Sequence, residues 1–337
     1  MKKAFLFFLW VSLFLSCKNL ENEDSLFLLE SPYGVVPQPS NNQASEAGIA
    51  LGKKLFFDPV LSANNSISCA SCHLPSLAFS DGVALTNKGV SSNPLSRNSP
   101  ALFNLAWMQG TFWDGGAKNL ESQVFGPLTH PDEMAMDLLE LTARLQKIPE
   151  YRKLFKDVWQ TDSIMSFHIA RSIAQYERSL ISFDTPFDLF YQGKKQLTEV
   201  EKPGYAVFMQ KCESCHKLPL FTDNNYHNNG LDEAFTDTRE ELLRFGRYRI
   251  TNDSGDIGKY KTPSLRNLKF TALYMHDGRF ATLEAVLNHY GKGVRQNSPN
   301  LDSRLNYQGG FSLNEREIKE LLIFLNMLND ETLIKSH

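Results

Sequence analysis

Cys69-Ala70-Ser71-Cys72-His73 and Cys212-Glu213-Ser214-Cys215-His216 are two copies of the pattern C-x-x-C-H. The two intervening residues let both thiols bond to the vinyl groups at one edge of a haem, and the adjacent imidazole then reaches the iron. The sequence therefore predicts two c-type haems. A zinc site or a redox dithiol is the alternative. However, paired C-x-x-C zinc motifs usually lie about 15 to 20 residues apart, and a dithiol does not need the histidine.

Each motif follows a segment with the periodicity of a helix. The pattern covers Glu46 to Phe57 before the first motif. Before the second motif, a capping box at Thr198 to Glu201 leads through an apolar stretch to Cys212. Strand patterns are few. The sequence therefore predicts a mainly α fold with two cytochrome c-like haem domains and long loops that wrap the haems.

The length and composition suit two domains, because the chain has 337 residues of which 42% are hydrophobic. We expect the first haem domain over residues 44–185 and the second over residues 195–337. The segment from Phe183 to Gly193 is interpreted as the linker. Residues 17–43 are largely polar and contain prolines, which is typical of a tether.

Two further helices are predicted from their apolar spacing. The first runs from Ser163 to Phe183 and places five apolar residues on one face, with Ile164 at its margin: Phe167, Ala170, Ile173, Ala174 and Ile181. His168 lies in this helix and is interpreted as a core or surface residue rather than a ligand. The second opens at a capping box, Ser312-Leu313-Asn314-Glu315, and continues through Ile318 to Leu325. It is expected to pack against the first helix of the second domain.

The N-terminus resembles an export signal. Met1-Lys2-Lys3 precedes an apolar run that ends at Leu15 and is too short to span a bilayer comfortably. We therefore expect a signal peptide over residues 1–16. The stretch Leu13-Phe14-Leu15-Ser16-Cys17 resembles a bacterial lipobox, in which the cysteine is lipidated. This predicts a protein of the periplasm or cell envelope that is attached to the membrane through Cys17. Ordinary cleavage, which leaves a free thiol, is the alternative.

The cysteine count and the net charge further restrict the class of protein. Four of the five cysteines belong to the C-x-x-C-H motifs and the fifth is Cys17, so none is left for structural disulfides. The formal net charge is −3 and no cluster of basic residues stands out. Nucleic acid is therefore not an expected partner.

Further motifs support a resemblance to one family. They are Arg97-Asn98-Ser99-Pro100, Phe112-Trp113-Asp114-Gly115-Gly116, Gly126-Pro127, His130-Pro131-Asp132-Glu133-Met134, Thr262-Pro263-Ser264-Leu265-Arg266-Asn267 and Tyr274-Met275-His276-Asp277-Gly278. With these motifs, residues 44–330 resemble the bacterial di-haem cytochrome c peroxidase and MauG family. The resemblance implies a peroxidatic haem in the first domain and an electron-transfer haem in the second.

The resemblance also implies roles for single residues. Glu133 matches the family's distal acid/base, Gln123 its hydrogen-bonding neighbour, and Trp113 the tryptophan between the haems. From the residues alone, a carboxylate can move a proton between peroxide oxygens. Without the resemblance, however, Glu133 would be interpreted as a solvated carboxylate and Trp113 as a core anchor.

A calcium ion is a further implied cofactor. Asn98, together with the backbone carbonyls of Thr271 and Leu273, matches the family's calcium site between the haems, and oxygen donors suit calcium. The family usually has proline where this chain has Leu273. Because the family is often dimeric, the resemblance also suggests a homodimer.

Two departures from the family pattern concern the open positions of the haems. Many bacterial peroxidases have a histidine that caps the first haem, whereas the matching loop, Lys88-Gly89-Val90-Ser91-Ser92, has none. The first haem is therefore expected to be open without reductive activation, and His130 is not expected to cap it.

The other departure lies 14 residues after His276, where high-potential peroxidases have methionine and this chain, like MauG, has Tyr290. A phenolate ligand favours ferric and higher oxidation states. His289 and Met275 are alternative ligands. His276 is interpreted as a structural or electron-path residue.

These patterns predict an exported di-haem c-type peroxidase. It would reduce hydrogen peroxide to water with electrons from a small donor protein, either a cytochrome c or a cupredoxin. The closest alternative is a MauG-like enzyme that uses peroxide to oxidise a side chain of a partner protein. A non-catalytic di-haem electron carrier and a haem-based sensor are less favoured, because the first leaves Gln123 and Glu133 without a role and the second has no output domain.

Overall fold

The computed structural model describes residues 29–235, 243–309 and 311–336. The expected signal peptide, Cys17 and the first part of the tether lie outside these residues. Among the helices in the described ranges, none has both the length and the apolar character that crossing a bilayer requires.

The described residues form a mainly helical fold, as predicted, with two small antiparallel strand pairs. The helices are α1 Glu46–Phe57, α2 Leu120–Gln123, α3 Phe125–Thr129, α4 Leu138–Lys147, α5 Pro149–Trp159, α6 Ser166–Ser179, α7 Pro186–Tyr191, α8 Lys202–Lys211, α9 Tyr248–Thr251, α10 Leu283–Asn288, α11 Glu315–Asn326 and α12 Glu331–Lys335. The strands are β1 Glu30–Ser31, paired with β2 Gly34–Val35, and β3 Tyr226–His227, paired with β4 Tyr260–Lys261. A π-helical turn, His289–Gly293, continues α10.

The first hydrophobic core forms where α1 crosses α6. Ser45 caps α1 by accepting a hydrogen bond from the Gly48 backbone N–H at 3.0 Å. A Cβ atom on Gly52 would lie 2.0 Å from the backbone oxygen of Ser172 in α6, so only glycine permits this crossing. Leu55, on the adjacent turn of α1, is fully buried. The predicted helix from Glu46 to Phe57 is confirmed, and a loop over residues 58–68 connects it to the first C-x-x-C-H motif.

The second hydrophobic core repeats this arrangement with α8 and α11. Here a Cβ atom on Gly204 would lie 2.0 Å from the backbone oxygen of Glu320. Phe208 of α8 and Phe324 of α11 are fully buried, with ring centroids 4.9 Å apart. The prediction that the helix through Ile318 packs against the first helix of the second domain is confirmed. The two C-x-x-C-H motifs thus follow equivalent helix crossings.

Contacts between distant segments join the two units. Leu333 in α12 returns to the first hydrophobic core. Arg266 and Asp188, both almost fully buried, form a bidentate ion pair with N···O distances of 2.7 and 2.8 Å. The Tyr33 hydroxyl donates a hydrogen bond of 2.6 Å to the same carboxylate. Val36 is also buried. The description of residues 17–43 as a tether is therefore wrong for residues 29–43, which pack onto the fold.

The helix predicted from Ser163 to Phe183 is shorter in the structure, since α6 covers only Ser166–Ser179. At its start, the Ile164 N–H donates to the Gln146 side chain at 2.9 Å instead of entering the helix. Phe167 is 43% exposed, so its placement on the buried face is wrong. Its ring instead lies 5.0 Å from the Arg171 guanidinium group. His168 is buried, as interpreted.

The capping box of α11 lies two residues later than predicted. Asn314 is the cap and exchanges hydrogen bonds of 2.9 and 3.0 Å with Glu317. Ser312 instead uses its backbone oxygen to accept a hydrogen bond from Lys211 at 2.6 Å. The segment interpreted as the linker contains α7, whose Phe187 is fully buried in the second core.

Candidate functional site

Both C-x-x-C-H motifs fold into the same tight turn. In the first motif the His73 N–H donates to the Cys69 carbonyl at 3.0 Å, and in the second the His216 N–H donates to the Cys212 carbonyl at 2.9 Å. None of the four motif cysteines forms a disulfide: Cys69, Cys72, Cys212 and Cys215. Each turn therefore keeps two thiols and an imidazole next to one another, which covalent attachment of a haem requires.

The two imidazoles are oriented by backbone carbonyls. His73 Nδ1 lies 2.8 Å from the Phe79 carbonyl oxygen, and His216 Nδ1 lies 3.0 Å from that of Phe221. A carbonyl only accepts hydrogen bonds, so the proton is on Nδ1 and Nε2 keeps the lone pair that binds iron. Burial lowers the pKa of both histidines, which favours this neutral form.

The same two phenylalanines have left-handed backbones. Phe79 has φ 61° and Phe221 has φ 57°, and both side chains are fully buried. This conformation is uncommon for a bulky residue and persists only where the surrounding structure imposes it. It turns the backbone between each motif and its core so that the carbonyl faces the imidazole. The sequence shows no signal for this feature.

A cavity lies beside the first motif. His73 and Cys69 line it together with Gln123 at the end of α2, Glu133 in the loop after α3, and Glu177 in α6. Most other lining residues are apolar, which is typical of a buried cofactor site. The thiol pair, the neutral imidazole and the apolar walls all fit a c-type haem. The predicted pair of Gln123 and Glu133 therefore lies in the same cavity as the predicted iron ligand.

The four cysteines do not form a zinc site in the part of the chain that the structure describes. There, no three His, Cys, Asp or Glu side chains converge on one point as metal ligands. Burial also raises the pKa of Cys69, which disfavours the thiolate that zinc binds. The zinc alternative has no support in these residues.

Glu133 is held by the loop that departs from the family pattern. The Val90 N–H donates to the Glu133 carbonyl at 2.8 Å. A Cβ atom on Gly89 would lie 1.8 Å from the Asp132 carbonyl oxygen, so only glycine permits this contact. Gly89 also lines the cavity, where it presents no side chain. Burial raises the pKa of Glu133, which the charge of His130 opposes. Glu133 is therefore not the solvated carboxylate that its loop position alone suggests.

Glu177 is a cavity residue that sequence reasoning missed. It is 3% exposed, and among the described residues its Oε2 atom has no hydrogen-bond partner. Burial raises its pKa to about 8, and its charge raises the pKa of Cys69, which places it near the first motif. In the sequence it resembles an ordinary polar position of an amphipathic helix. The one signal in the sequence is its spacing from the predicted apolar face, since Ile173, Ala174 and Ile181 lie three or four residues away.

Tyr290 lies in the π-helical turn of the second unit. The pKa of its hydroxyl is raised to about 12, mainly by burial, and the charges of Cys215 and Cys212 act in the same direction. The phenol oxygen therefore lies near the second pair of thiols. A hydrogen bond from the Asn229 side chain has the opposite effect. π-Helical turns are rare and frequent at functional sites. The role of Tyr290 as distal ligand of the second haem stays a prediction.

The alternative ligands are engaged elsewhere. His289 Nε2 lies 3.0 Å from the Asn229 carbonyl oxygen, and Met275 Sδ accepts a hydrogen bond from the Asn229 amide at 3.6 Å. The His276 ring stacks on Tyr260 with centroids 3.7 Å apart. Burial lowers the pKa of His276 to about 4, so its ring is neutral.

Trp113 lies where the two units meet. Its indole N–H donates to the Asn98 carbonyl at 2.8 Å, and its own carbonyl accepts from the Lys261 N–H in β4 at 2.8 Å. The neighbouring Asp114 is fully buried and forms ion pairs of 2.9 Å with Arg97 and Arg249. These contacts fix the indole between segments of the first and the second unit.

The calcium site stays a prediction. Asn98 is buried, and its amide nitrogen donates to the Val83 carbonyl at 2.8 Å. Its backbone N–H donates to the His276 carbonyl at 2.9 Å. Thr271 and Leu273 lie in the loop before His276, so Asn98 contacts the same region of the second unit.

Comparisons with known proteins agree with this geometry. Residues 46–196 match the model of the family described as di-haem cytochrome c peroxidase. A methylamine utilization protein MauG from Methylorubrum extorquens is 39% identical over 88% of this chain and 82% of its own length. A cytochrome c551 peroxidase from Nitrosomonas europaea is 32% identical over 87% of this chain and 82% of its own length.

A solved structure also resembles this chain. It is described as a MauG-like protein associated with microbial copper homeostasis, with a TM-score of 0.80 and 32% identity. The match covers 88% of this chain and 93% of that protein.

Proposed function

The chain belongs to the di-haem cytochrome c peroxidase and MauG family, and we propose that it is an exported peroxidase that reduces hydrogen peroxide to water. As a member of this family it is an oxidoreductase that uses peroxide and carries two covalently bound c-type haems. Cys69 and Cys72 would attach the first haem and Cys212 and Cys215 the second.

The observation that carries the proposal is the shared cavity of His73, Gln123 and Glu133. A pure electron carrier needs no acid or amide beside an iron ligand, whereas peroxide cleavage needs a group that moves a proton between the two oxygens. Gly89 supports an open site, because the loop that would present a capping side chain presents only backbone there. The first haem would then react without prior reduction.

The cavity residues would have different roles in the reaction with peroxide. When bound, the haem would supply an iron that binds peroxide and passes electrons to it. Gln123 would orient the peroxide through its amide. Glu133 would take the proton from one peroxide oxygen and give it to the other, which leaves as water. Because burial raises the pKa of Glu133 toward the working pH, its carboxyl can both accept and return a proton.

The overall reaction consumes one peroxide, two electrons and two protons and releases two waters. We propose that the electrons come from a small donor protein, a cytochrome c or a cupredoxin, and enter at the second haem between His216 and Tyr290. Trp113 would carry oxidising equivalents between the two units. Its hydrogen bond to Asn98 and its backbone contact with β4 support this role.

A MauG-like oxidation of a partner protein is the second candidate function. The partly buried Tyr290 near the thiols of Cys212 and Cys215 favours it, because a phenolate ligand stabilises high oxidation states. The relative from Methylorubrum extorquens is itself named MauG. Tyr290 specifies an electronic state rather than a substrate, so it does not decide between the two functions.

We further propose that the protein acts in the periplasm or cell envelope. The N-terminal signal pattern and the chemistry of c-type attachment, which takes place outside the cytoplasm, support this location. A lipid on Cys17 would anchor it.

Two measurements test the proposed function. In electron paramagnetic resonance of the oxidised holoprotein, we expect a high-spin signal from one haem that disappears when peroxide is added without a reductant. In steady-state assays with reduced cytochrome c, we expect Glu133→Gln to lower kcat by about 10² to 10⁴-fold. Two low-spin haems that stay inert until an electron is added would contradict the open first site.

Asp132→Asn is the matched control, since it removes a neighbouring charge of the same sign. The Asp132 carboxylate accepts a hydrogen bond from Asn93 at 2.8 Å. It is expected to change kcat little. An equal loss in both variants would show that the charge of the loop matters rather than proton transfer by Glu133. If reduced cytochrome c is not consumed while a side chain of a partner protein is oxidised, the MauG-like function is the correct one.

A further inference from the structure

Asn229 contacts all three side chains that could serve as the distal ligand of the second haem. Its backbone carbonyl lies against His289, and its side-chain amide lies against Met275 and Tyr290. These candidate ligands come from two different segments of the chain. A single residue that contacts all of them can therefore influence which one reaches the iron.

The contact with the Asn229 backbone keeps His289 from binding the iron of the second haem. His289 Nε2 lies 3.0 Å from the Asn229 carbonyl oxygen, so this nitrogen carries the proton and donates it. The other ring nitrogen, Nδ1, packs close to the Gly293 backbone, where an added Cβ atom would lie 3.2 Å away. The imidazole thus has no free nitrogen facing the second haem site.

The amide contacts have opposite effects on the other two candidates. An asparagine amide has two N–H groups. One donates to Met275 Sδ at 3.6 Å and occupies the sulfur that would bind iron. The Asn229 side chain also forms a hydrogen bond with the Tyr290 oxygen. When the phenolate binds iron its oxygen has no proton, so the amide is the donor in this hydrogen bond. The amide thus holds back the thioether and favours the phenolate.

The position of Asn229 is fixed on both sides. The Asn228 side chain donates to the Ser298 hydroxyl at 2.8 Å and accepts from the Gly230 N–H at 2.8 Å. The Gly230 carbonyl accepts from the Arg295 N–H at 2.8 Å. Because the flanking residues are held in this way, the Asn229 amide is oriented before any ligand binds iron.

We propose that Asn229 is a positioning residue that selects Tyr290 as the distal ligand of the second haem and holds His289 and Met275 away. The proposal rests on the proposed function, in which Tyr290 binds this haem. It adds the reason why a methionine close by does not replace the tyrosine. The choice sets the redox character of the haem, because methionine ligation raises the potential.

The test is Asn229→Leu, which keeps the backbone carbonyl and a similar volume but removes both N–H donors. In the oxidised holoprotein we expect the tyrosinate-to-iron charge-transfer absorption to decrease and the near-infrared band of methionine-ligated ferric haem to appear. The potential of the second haem should shift upward. In Asn229→Leu combined with Met275→Leu, the methionine band should be lost again.

Asn229→Gln, which keeps an amide donor, should restore part of the tyrosinate spectrum. Asn225→Leu is the matched control, because Asn225 is exposed four residues away, and it should leave spectrum and potential unchanged. If Asn229→Leu folds poorly, Asn229→Asp gives the same test, since it replaces the donor by an acceptor of equal size.

The outcomes separate this proposal from the proposed function. A wild-type protein without tyrosinate absorption would contradict the ligand assignment, and with it the selection by Asn229. A tyrosinate-ligated wild type with an unchanged Asn229→Leu spectrum would overturn the selection alone. A lower potential with the tyrosinate absorption retained would also overturn it, since the amide would then only weaken the donor.

Discussion

Replacing Glu177 by glutamine should remove a large pH dependence of stability. Burial raises the pKa of Glu177 from the ordinary 4.5 to about 8. The folded protein therefore keeps a proton that the unfolded chain releases above its ordinary pKa. The free energy of unfolding then falls by about 1.4 kcal/mol per pH unit across this window. The total loss for the wild type is roughly 5 kcal/mol between the unfolded and folded pKa values.

The sign follows from where the proton is bound. A carboxyl with a raised folded pKa contributes no penalty below the unfolded pKa and destabilises progressively as the pH rises toward the folded pKa. Glu177→Gln is neutral throughout, so its stability should change less over the same range. The two profiles should converge near pH 4.5 and diverge toward pH 8.

Guanidinium unfolding of the holoprotein at several pH values, followed by far-ultraviolet circular dichroism, measures this difference. Glu150→Gln is the control, because Glu150 is an exposed carboxylate whose only ion pair in the described residues is with Lys54 at the surface. It should keep the wild-type slope. Parallel profiles for wild type and Glu177→Gln would show that Glu177 is ionised in the folded protein, and the reasoning from burial would be wrong.

Two further predictions concern a buried ion pair and the tryptophan that lies where the units meet. Asp188→Ala leaves Arg266 as an uncompensated buried charge, so the free energy of unfolding should fall by about 3–5 kcal/mol. Denaturant titration measures this change. A loss below about 1 kcal/mol would mean that water reaches the ion pair. Trp113→Phe removes the hydrogen bond to Asn98 and should lower the free energy of unfolding by only about 1 kcal/mol. Stopped-flow spectroscopy should show an unchanged reaction of the first haem with peroxide and slower reoxidation of the second haem. Equal rates in the variant and the wild type would exclude Trp113 from the electron path between the haems.

The helices that position the haems could be predicted because apolar spacing and caps are local signals. Glu46–Phe57 has its predicted bounds, since Ser45 caps it and its buried residues recur at helical spacing. The cap of α11 was misplaced because Ser312 and Asn314 are both good caps. In the structure Asn314 forms the reciprocal hydrogen bonds with Glu317, whereas the Ser312 carbonyl accepts from Lys211.

The site residues could be predicted only where the type of side chain itself indicates the function. The cysteines and histidines of the motifs are of this kind, and Gln123 and Glu133 were found through the family resemblance. The role of the Phe79 and Phe221 carbonyls could not be predicted. Every residue has a carbonyl, and the sequence does not show which residues adopt a positive φ. Glu177 was missed since burial of a single carboxyl depends on how α6 meets the rest of the first unit.

The two units show where the difference between the haems must arise. The proximal sides are alike, since each imidazole is held by the carbonyl of a buried phenylalanine with a left-handed backbone. Proximal geometry therefore gives both irons the same donor and cannot assign them different tasks. The two sites differ in other residues: the first has carboxyls, an amide and a glycine loop, and the second has a partly buried phenol. An iron with an open position and a proton carrier can cleave peroxide, whereas an iron bound on both sides can only exchange electrons. In the proposed assignment, with Tyr290 on the second iron, the different tasks of the two haems therefore follow from their distal residues.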